Sequence, residues 1–246
     1  MVRSKPISRP PLSHSQLSAR YRRWLLLPPS VYPLVTGLKR DVLFIWVPKC
    51  AGSSIYTTLV KHGCAEKRWE TPLAPFENRG MVTFGHVGIT QLLSAGVIKR
   101  SYFRRAFKFA FVRNPFDRAV SLFHYLQKFG SQAVPPEMTF EGFCHTLDRG
   151  DYPPVGLYNH EGLNQCNPMV RWLFDDAGRP LADFIGRHET VESDFQMLCR
   201  EIGMHSHLPR HNTTEHRPYR EYYTSETRQI IERVYREDLE AFGYEF

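Results

Sequence analysis

The first forty residues of this 246-residue chain contain no acidic side chain. Arg3, Lys5, Arg9, Arg20, Arg22, Arg23, Lys39 and Arg40 lie there, so this segment carries +8 and the remainder sums to 7 − 8 = −1. A basic surplus confined to one end describes a tail and excludes a folded body built around nucleic-acid binding. The chain has no CxxC pair, and its five cysteines (Cys50, Cys64, Cys144, Cys166, Cys199) are scattered and odd in number. That argues against a disulfide framework and a structural zinc site and suits a reducing, cytoplasmic compartment. No apolar run reaches the length needed to span a bilayer. Trp24-Leu25-Leu26-Leu27 is stopped by Pro28 and Pro29, and the missing small-residue cleavage site excludes a signal peptide.

What is present suits one α/β domain of ordinary size, with 42% hydrophobic and 23% charged residues and enough chain for a full core. Residues 1–40 read as a basic, Pro/Ser/Arg-rich arm without apolar periodicity. Its Tyr21-Arg22-Arg23-Trp24-Leu25 stretch suits peripheral contact with an anionic membrane surface, and equally a solvated arm lying on its own domain. The Arg- and Ser-rich, acid-free composition is also that of an organelle transit peptide. Residues 41–246 form the expected folded domain.

Within that domain, Val42 to Val47 is a continuous apolar run and predicts a strand buried on both faces, ended by Pro48. A helix follows from Ile55 to Val60, and Lys67 to Arg79 reads as connecting sequence. Met81–Phe84 predicts a second strand ending at Gly85-His86, and Gln91-Leu92-Leu93 opens a short helical turn. Phe107–Val112 predicts a third strand. After it, Asn114 is a good N-cap and Pro115 a good first helical residue, with Ala119, Leu122, Phe123 and Leu126 as the buried stripe. Short helices are expected near Phe140–Leu147 and Met169–Phe174, a strand at Ala182–Gly186, and a helix from Val191 stopped by Gly203. One last helix is expected from Ser225 to Gly243, with Ile231, Tyr235, Leu239 and Phe242 inward. Strands alternating with helices predict a parallel sheet covered on both faces.

Ligands of such sheets bind beyond the carboxyl ends of the strands, and three strands here end in chemistry. After the first come Lys49, Cys50, Ala51, Gly52, Ser53 and Ser54. A strand, a tight loop and a helix in that order put unpaired N–H groups and a positive dipole end at one point, which is an anion site made of main chain. After the second strand comes His86. After the third comes Arg113, whose fork can clamp a phosphate bidentately. Asp117, Ser121 and Tyr125 share one face of the following helix. The plainer alternatives are an exposed loop lysine, an Arg113–Asp117 ion pair and a surface serine. His205, His207, His211 and His216 match no common ligand spacing, so no metal site is expected. Asn212-Thr213-Thr214 is a glycosylation sequon by pattern alone.

Val47-Pro48-Lys49-Cys50-Ala51-Gly52-Ser53-Ser54 resembles the phosphosulfate loop of sulfotransferases. Phe111-Val112-Arg113-Asn114-Pro115-Phe116-Asp117-Arg118-Ala119-Val120-Ser121 resembles their 3′-phosphate motif. The likeness runs from about Asp41 to Phe246 and is closest to the carbohydrate branch (the heparan sulfate 2-O- and HNK-1-type family and its bacterial members). Phe184 to Glu189 and Leu208 to Thr213 also resemble bacterial members. The resemblance implies a P-loop-like, three-layer α/β fold with a central parallel sheet. It implies sulfuryl transfer from 3′-phosphoadenosine 5′-phosphosulfate to a hydroxyl of a saccharide or glycolipid, without a metal. Lys49 would then stabilise the leaving group, Cys50 to Ser54 would hold the 5′-phosphosulfate, and Arg113 and Ser121 the 3′-phosphate. His86 would be the base, with Glu161 and Glu189 in reserve. The alternatives are a nucleotide-binding protein without catalysis and a P-loop-like kinase. GxxxxGK[ST] is absent, which speaks against the kinase. The acceptor and the oligomeric state are not written in the sequence.

Overall fold

The computed structural model describes residues 40–62, 74–75, 80–83, 88–94, 96, 98–129, 134–151, 163–209 and 217–246. The elements run β1 (Val42–Ile45), α1 (Gly52–Lys61), β2 (Ala74–Pro75), β3 (Gly80–Val82), α2 (Ile89–Ser94), α3 (Arg100–Arg105), β4 (Phe107–Val112) and α4 (Pro115–Lys128). They continue with α5 (Phe140–Asp148), α6 (Val170–Leu173), β5 (Phe184–Arg187), α7 (Val191–Ile202), a 3-10 turn (Tyr219–Tyr222), α8 (Ser225–Val234) and α9 (Arg236–Phe242). Nearly all of the basic arm lies outside the described residues, as do His86, Glu161, Cys64, His211, His216 and the sequon.

β1 is central. The sheet order is β2-β3-β1-β4-β5, with β3, β1, β4 and β5 mutually parallel. All four residues of β1 are buried, as expected of a strand covered on both faces. β1 is shorter than its apolar run because the Trp46 N–H leaves the ladder and donates to Thr83 Oγ1 at 2.9 Å. β2 is a correction to the reading of Lys67 to Arg79 as plain connection: Ala74–Pro75 pairs antiparallel with β3 at the sheet edge, where proline is tolerated. The second strand is Gly80–Val82, ending before Phe84, and β5 starts at Phe184, two residues later than expected.

Two apolar clusters lie around this sheet. One gathers the strands with Ile55 and Leu59 of α1 and Phe195, Leu198 and Ile202 of α7. The other gathers Phe116, Leu122, Phe123 and Leu126 of α4 with Phe143 and Leu147 of α5 and Ile230, Ile231 and Tyr235. α4 begins where expected, since Asn114 Oδ1 accepts from the Phe116 N–H at 3.0 Å and Pro115 opens the helix. α7 stops at Gly203, whose φ of 76° is the left-handed value that favours glycine. The expected single C-terminal helix is two helices meeting at Tyr235. Ile230, Ile231 and Tyr235 enter one cluster and Phe242 the other, so the bend lets one apolar stripe serve both.

Candidate functional site

Beyond β1 the chain turns through Lys49 (φ 63°) and Ala51 (φ 61°), with Cys50 between them at negative φ. Left-handed backbone costs a non-glycine residue roughly 1–2 kcal/mol, so packing must hold the loop. Two groups do so from beneath. The Cys50 thiol is buried, donating to the Pro48 carbonyl at 3.4 Å and lying 3.7 Å from Met169 Sδ. Burial pushes its pKa up to about 12, so it is a neutral packing group, and only its main chain remains for a ligand. Arg118 Nε also donates to the Pro48 carbonyl, at 3.1 Å. Alternating backbone hands bring successive amides to one point, a concavity suited to anions.

α1 opens from this turn. Ala51 makes no side-chain cap, and the Ile55 N–H donates to the Ala51 carbonyl at 3.2 Å. The N–H groups of Gly52, Ser53 and Ser54 therefore precede the first intrahelical bond, at the positive end of the dipole. Gly52 is required sterically: a Cβ there would lie 1.9 Å from Trp46 Nε1. The indole thus covers the first residue of the helix.

Lys49 is half-buried, with Nζ 4.2 Å from the ring centroid of Tyr125. Burial first and the nearby Arg113 second lower its pKa to about 8, with Lys128 adding to them and Cys50 opposing. Arg113 Nη1 donates to the Lys49 carbonyl in a long bond of 3.4 Å, so the two phosphate motifs touch. Arg113 also forms the alternative ion pair, its Nε bonding Asp117 Oδ2 at 2.7 Å. The two roles coexist, because pairing through Nε orients the guanidinium and leaves Nη2 for a phosphate. Among the described residues Nη2 has no partner. Ser121 is buried at 1% exposure, which overturns the surface-serine alternative, and its hydroxyl bonds no described residue.

His188 feels the charges of both Arg113 and Lys49. Its pKa falls to about 4, through burial first and then Arg113, and it clusters with Asp117 and Glu189. Glu189 Oε1 accepts from the Asn114 N–H at 2.6 Å and Oε2 from the Tyr244 hydroxyl at 2.8 Å. Through one bond on each oxygen Glu189 ties the start of α4 to the C-terminal segment, and each oxygen keeps a further lone pair. His207 Nδ1 pairs with Gln196 Nε2 at 3.2 Å, away from these motifs in sequence.

Sequence reasoning missed Arg118 and Asp238. Arg118 is 1% exposed and donates Nη2 to the Gln165 carbonyl at 2.6 Å, while Nη1 is buried and has no hydrogen-bond partner among the described residues. Asp238 is fully buried and accepts the Met169 and Val170 N–H groups at 2.8 and 2.9 Å. Burial raises its pKa to about 6 against the opposing pull of Arg118. Arg118 sits inside the second motif, so its position was the available signal.

A parallel sheet whose central strand feeds an uncapped helix through a tight turn, with an arginine fork at the end of the neighbouring strand, defines a P-loop-like α/β protein whose turn has the geometry of an anion site. The chain belongs to the sulfotransferase family, whose model matches residues 34–245. It is similar in fold to mouse sulfotransferase SULT7A1, solved in complex with PAP, at 15% identity and a TM-score of 0.50. That likeness covers 81% of this chain and 84% of the mouse chain. No curated protein sequence matches.

Proposed function

We propose that this sulfotransferase moves a sulfuryl group from 3′-phosphoadenosine 5′-phosphosulfate to a hydroxyl of a carbohydrate or glycolipid. The observation that carries the reading is the bond from Arg113 to the Lys49 carbonyl, which joins two motifs 64 residues apart into one anion-binding mouth. The residues present fit the donor. The main-chain N–H groups of Cys50 to Ser54 suit its 5′ end, and Nη2 of Arg113 with the Ser121 hydroxyl suits its 3′-phosphate. When bound, the donor supplies the sulfuryl group. Lys49 meets the charge that develops on the leaving oxygen, within a site already arranged to receive it. His86 removes the acceptor proton, a task typically worth ~10²–10⁴ in rate; this assignment rests on the resemblance. The carbohydrate acceptor rests on the same resemblance to the carbohydrate branch.

The basic arm, residues 1–40, is proposed as a peripheral membrane contact. A reducing, cytoplasmic compartment suits the four described cysteines, which are free and buried. Among the described residues no helix is long and apolar enough to cross a membrane. The test is calorimetric titration with 3′-phosphoadenosine 5′-phosphate in EDTA, alongside Arg113→Ala. Tight binding that the variant loses is expected. Absence of binding, with ATP–Mg bound instead, would overturn the reading in favour of a kinase.

A further inference from the structure

We propose that Tyr125 is a positioning residue for Lys49, its ring face holding the ammonium at the mouth of the donor loop. The inference rests on the reading of Lys49 as the residue that meets the donor. Nζ lies 4.2 Å from the Tyr125 ring centroid, inside the ~6 Å reach of a cation–π contact. Tyr125 stands one turn beyond Ser121 on α4, so this contact ties the loop of one motif to the helix of the other. Phe129 stands a further turn on. Its ring packs against Tyr125 with centroids 4.6 Å apart, although Phe129 is itself 67% exposed. The Lys128 ammonium lies 6.0 Å from the Phe129 ring.

The electrostatic setting explains why a ring is suited here. Burial, Arg113 and Lys128 all favour the neutral amine. His188, which also senses Lys49, is held neutral by burial and by Arg113. Among the described residues no carboxylate pairs with Lys49. A carboxylate would hold the charge but compete with an incoming anion, whereas a ring face attracts the cation and cancels none of its charge.

The test is NMR of protein carrying ¹³C,¹⁵N-lysine, with the Lys49 signal identified by its loss in Lys49→Arg. Ring current should move the Lys49 Hε resonances upfield in the wild type, with a titration midpoint near 8. Tyr125→Phe should keep both properties. Tyr125→Leu should abolish the upfield shift and lower the midpoint by roughly 0.5–1.5 pH units. Unshifted Hε resonances in the wild type, or a shift that survives Tyr125→Leu, would overturn the proposal. Should Tyr125→Leu fail to fold, the wild type and Tyr125→Phe still decide through the ring-current shift. Titration of the same wild-type sample with 3′-phosphoadenosine 5′-phosphate reports separately on the donor reading. A shifted Lys49 in a protein that ignores the nucleotide supports the contact and sinks the donor assignment.

Discussion

Arg118→Met asks whether a guanidinium buried beneath the donor loop holds that loop in place. Its Nε and Nη2 donate to the Pro48 and Gln165 carbonyls at 3.1 and 2.6 Å, and it lies over Trp172 and Tyr235 at 6.0 and 5.6 Å. Two hydrogen bonds from a charged donor are worth about 1.5–3 kcal/mol each, and release of the unpartnered Nη1 returns about 1–3 kcal/mol. Methionine keeps most of the apolar contact with the two rings. Mid-range values, about 4.5 less about 2, leave a net loss of roughly 2–3 kcal/mol, or about 4–12 °C in Tm for a domain of this size. Urea unfolding with an unchanged m value would report it, and Arg118→Lys, which keeps the charge but not the fork, should fall between. Because the Pro48 carbonyl precedes Lys49, nucleotide affinity should drop with stability. An Arg118→Met protein within about 0.5 kcal/mol of the wild type, as for a surface change, would refute the reasoning.

Asp238 supplies a pH dependence. Its folded-state pKa of about 6 lies above the ordinary carboxylate value, so its stabilising contribution is complete below pH ~4 and is lost as pH rises through 6. The difference in unfolding free energy between wild type and Asp238→Asn should fall by about 3 kcal/mol across that window and be flat outside it; a flat profile throughout contradicts the assignment. Gly52→Ala places a methyl group against the Trp46 indole and should cost about 1–3 kcal/mol as overpacking, seen as altered tryptophan fluorescence and weakened nucleotide binding. Ser121→Ala separates binding from folding. Because the hydroxyl bonds no described residue, its loss should change stability by less than about 1 kcal/mol while weakening 3′-phosphoadenosine 5′-phosphate about tenfold, the value of one charge-assisted bond. Equal loss of both would show the hydroxyl to be structural.

The strands were legible because β1 is a continuous apolar run and β4 is one from Phe109 to Val112, the pattern of strands covered on both faces. β2 was not, because two residues including Pro75 carry no pattern. α3 was missed for a related reason: none of its six residues is buried, so it shows no apolar stripe. The bend at Tyr235 was invisible because the stripe of Ile231, Tyr235 and Leu239 continues through it at helical spacing. In the site, loop and fork could be read from residue type and order. Arg118 and Asp238 could not, since a charged side chain on a helix ordinarily faces water and their burial depends on elements far apart in sequence. The Lys49–Tyr125 contact depends on a left-handed φ at Lys49 that residue type does not announce.

The strained turn at Lys49 and Ala51 bears on the rhythm of turnover. Its shape is imposed from below, by a thiol and a guanidinium that no ligand reaches, so the loop is set before any nucleotide arrives. A cradle that needs no remodelling on arrival gives no mechanical signal to let go. On the proposed reading, the spent bisphosphate is held through the same Arg113, Ser121 and main-chain donors as the loaded form. By hypothesis, product release therefore limits the steady state, as it does in many enzymes. Rapid mixing should then show a burst equal to one sulfuryl group per active site, and a linear first turnover would place the slow step at the transfer.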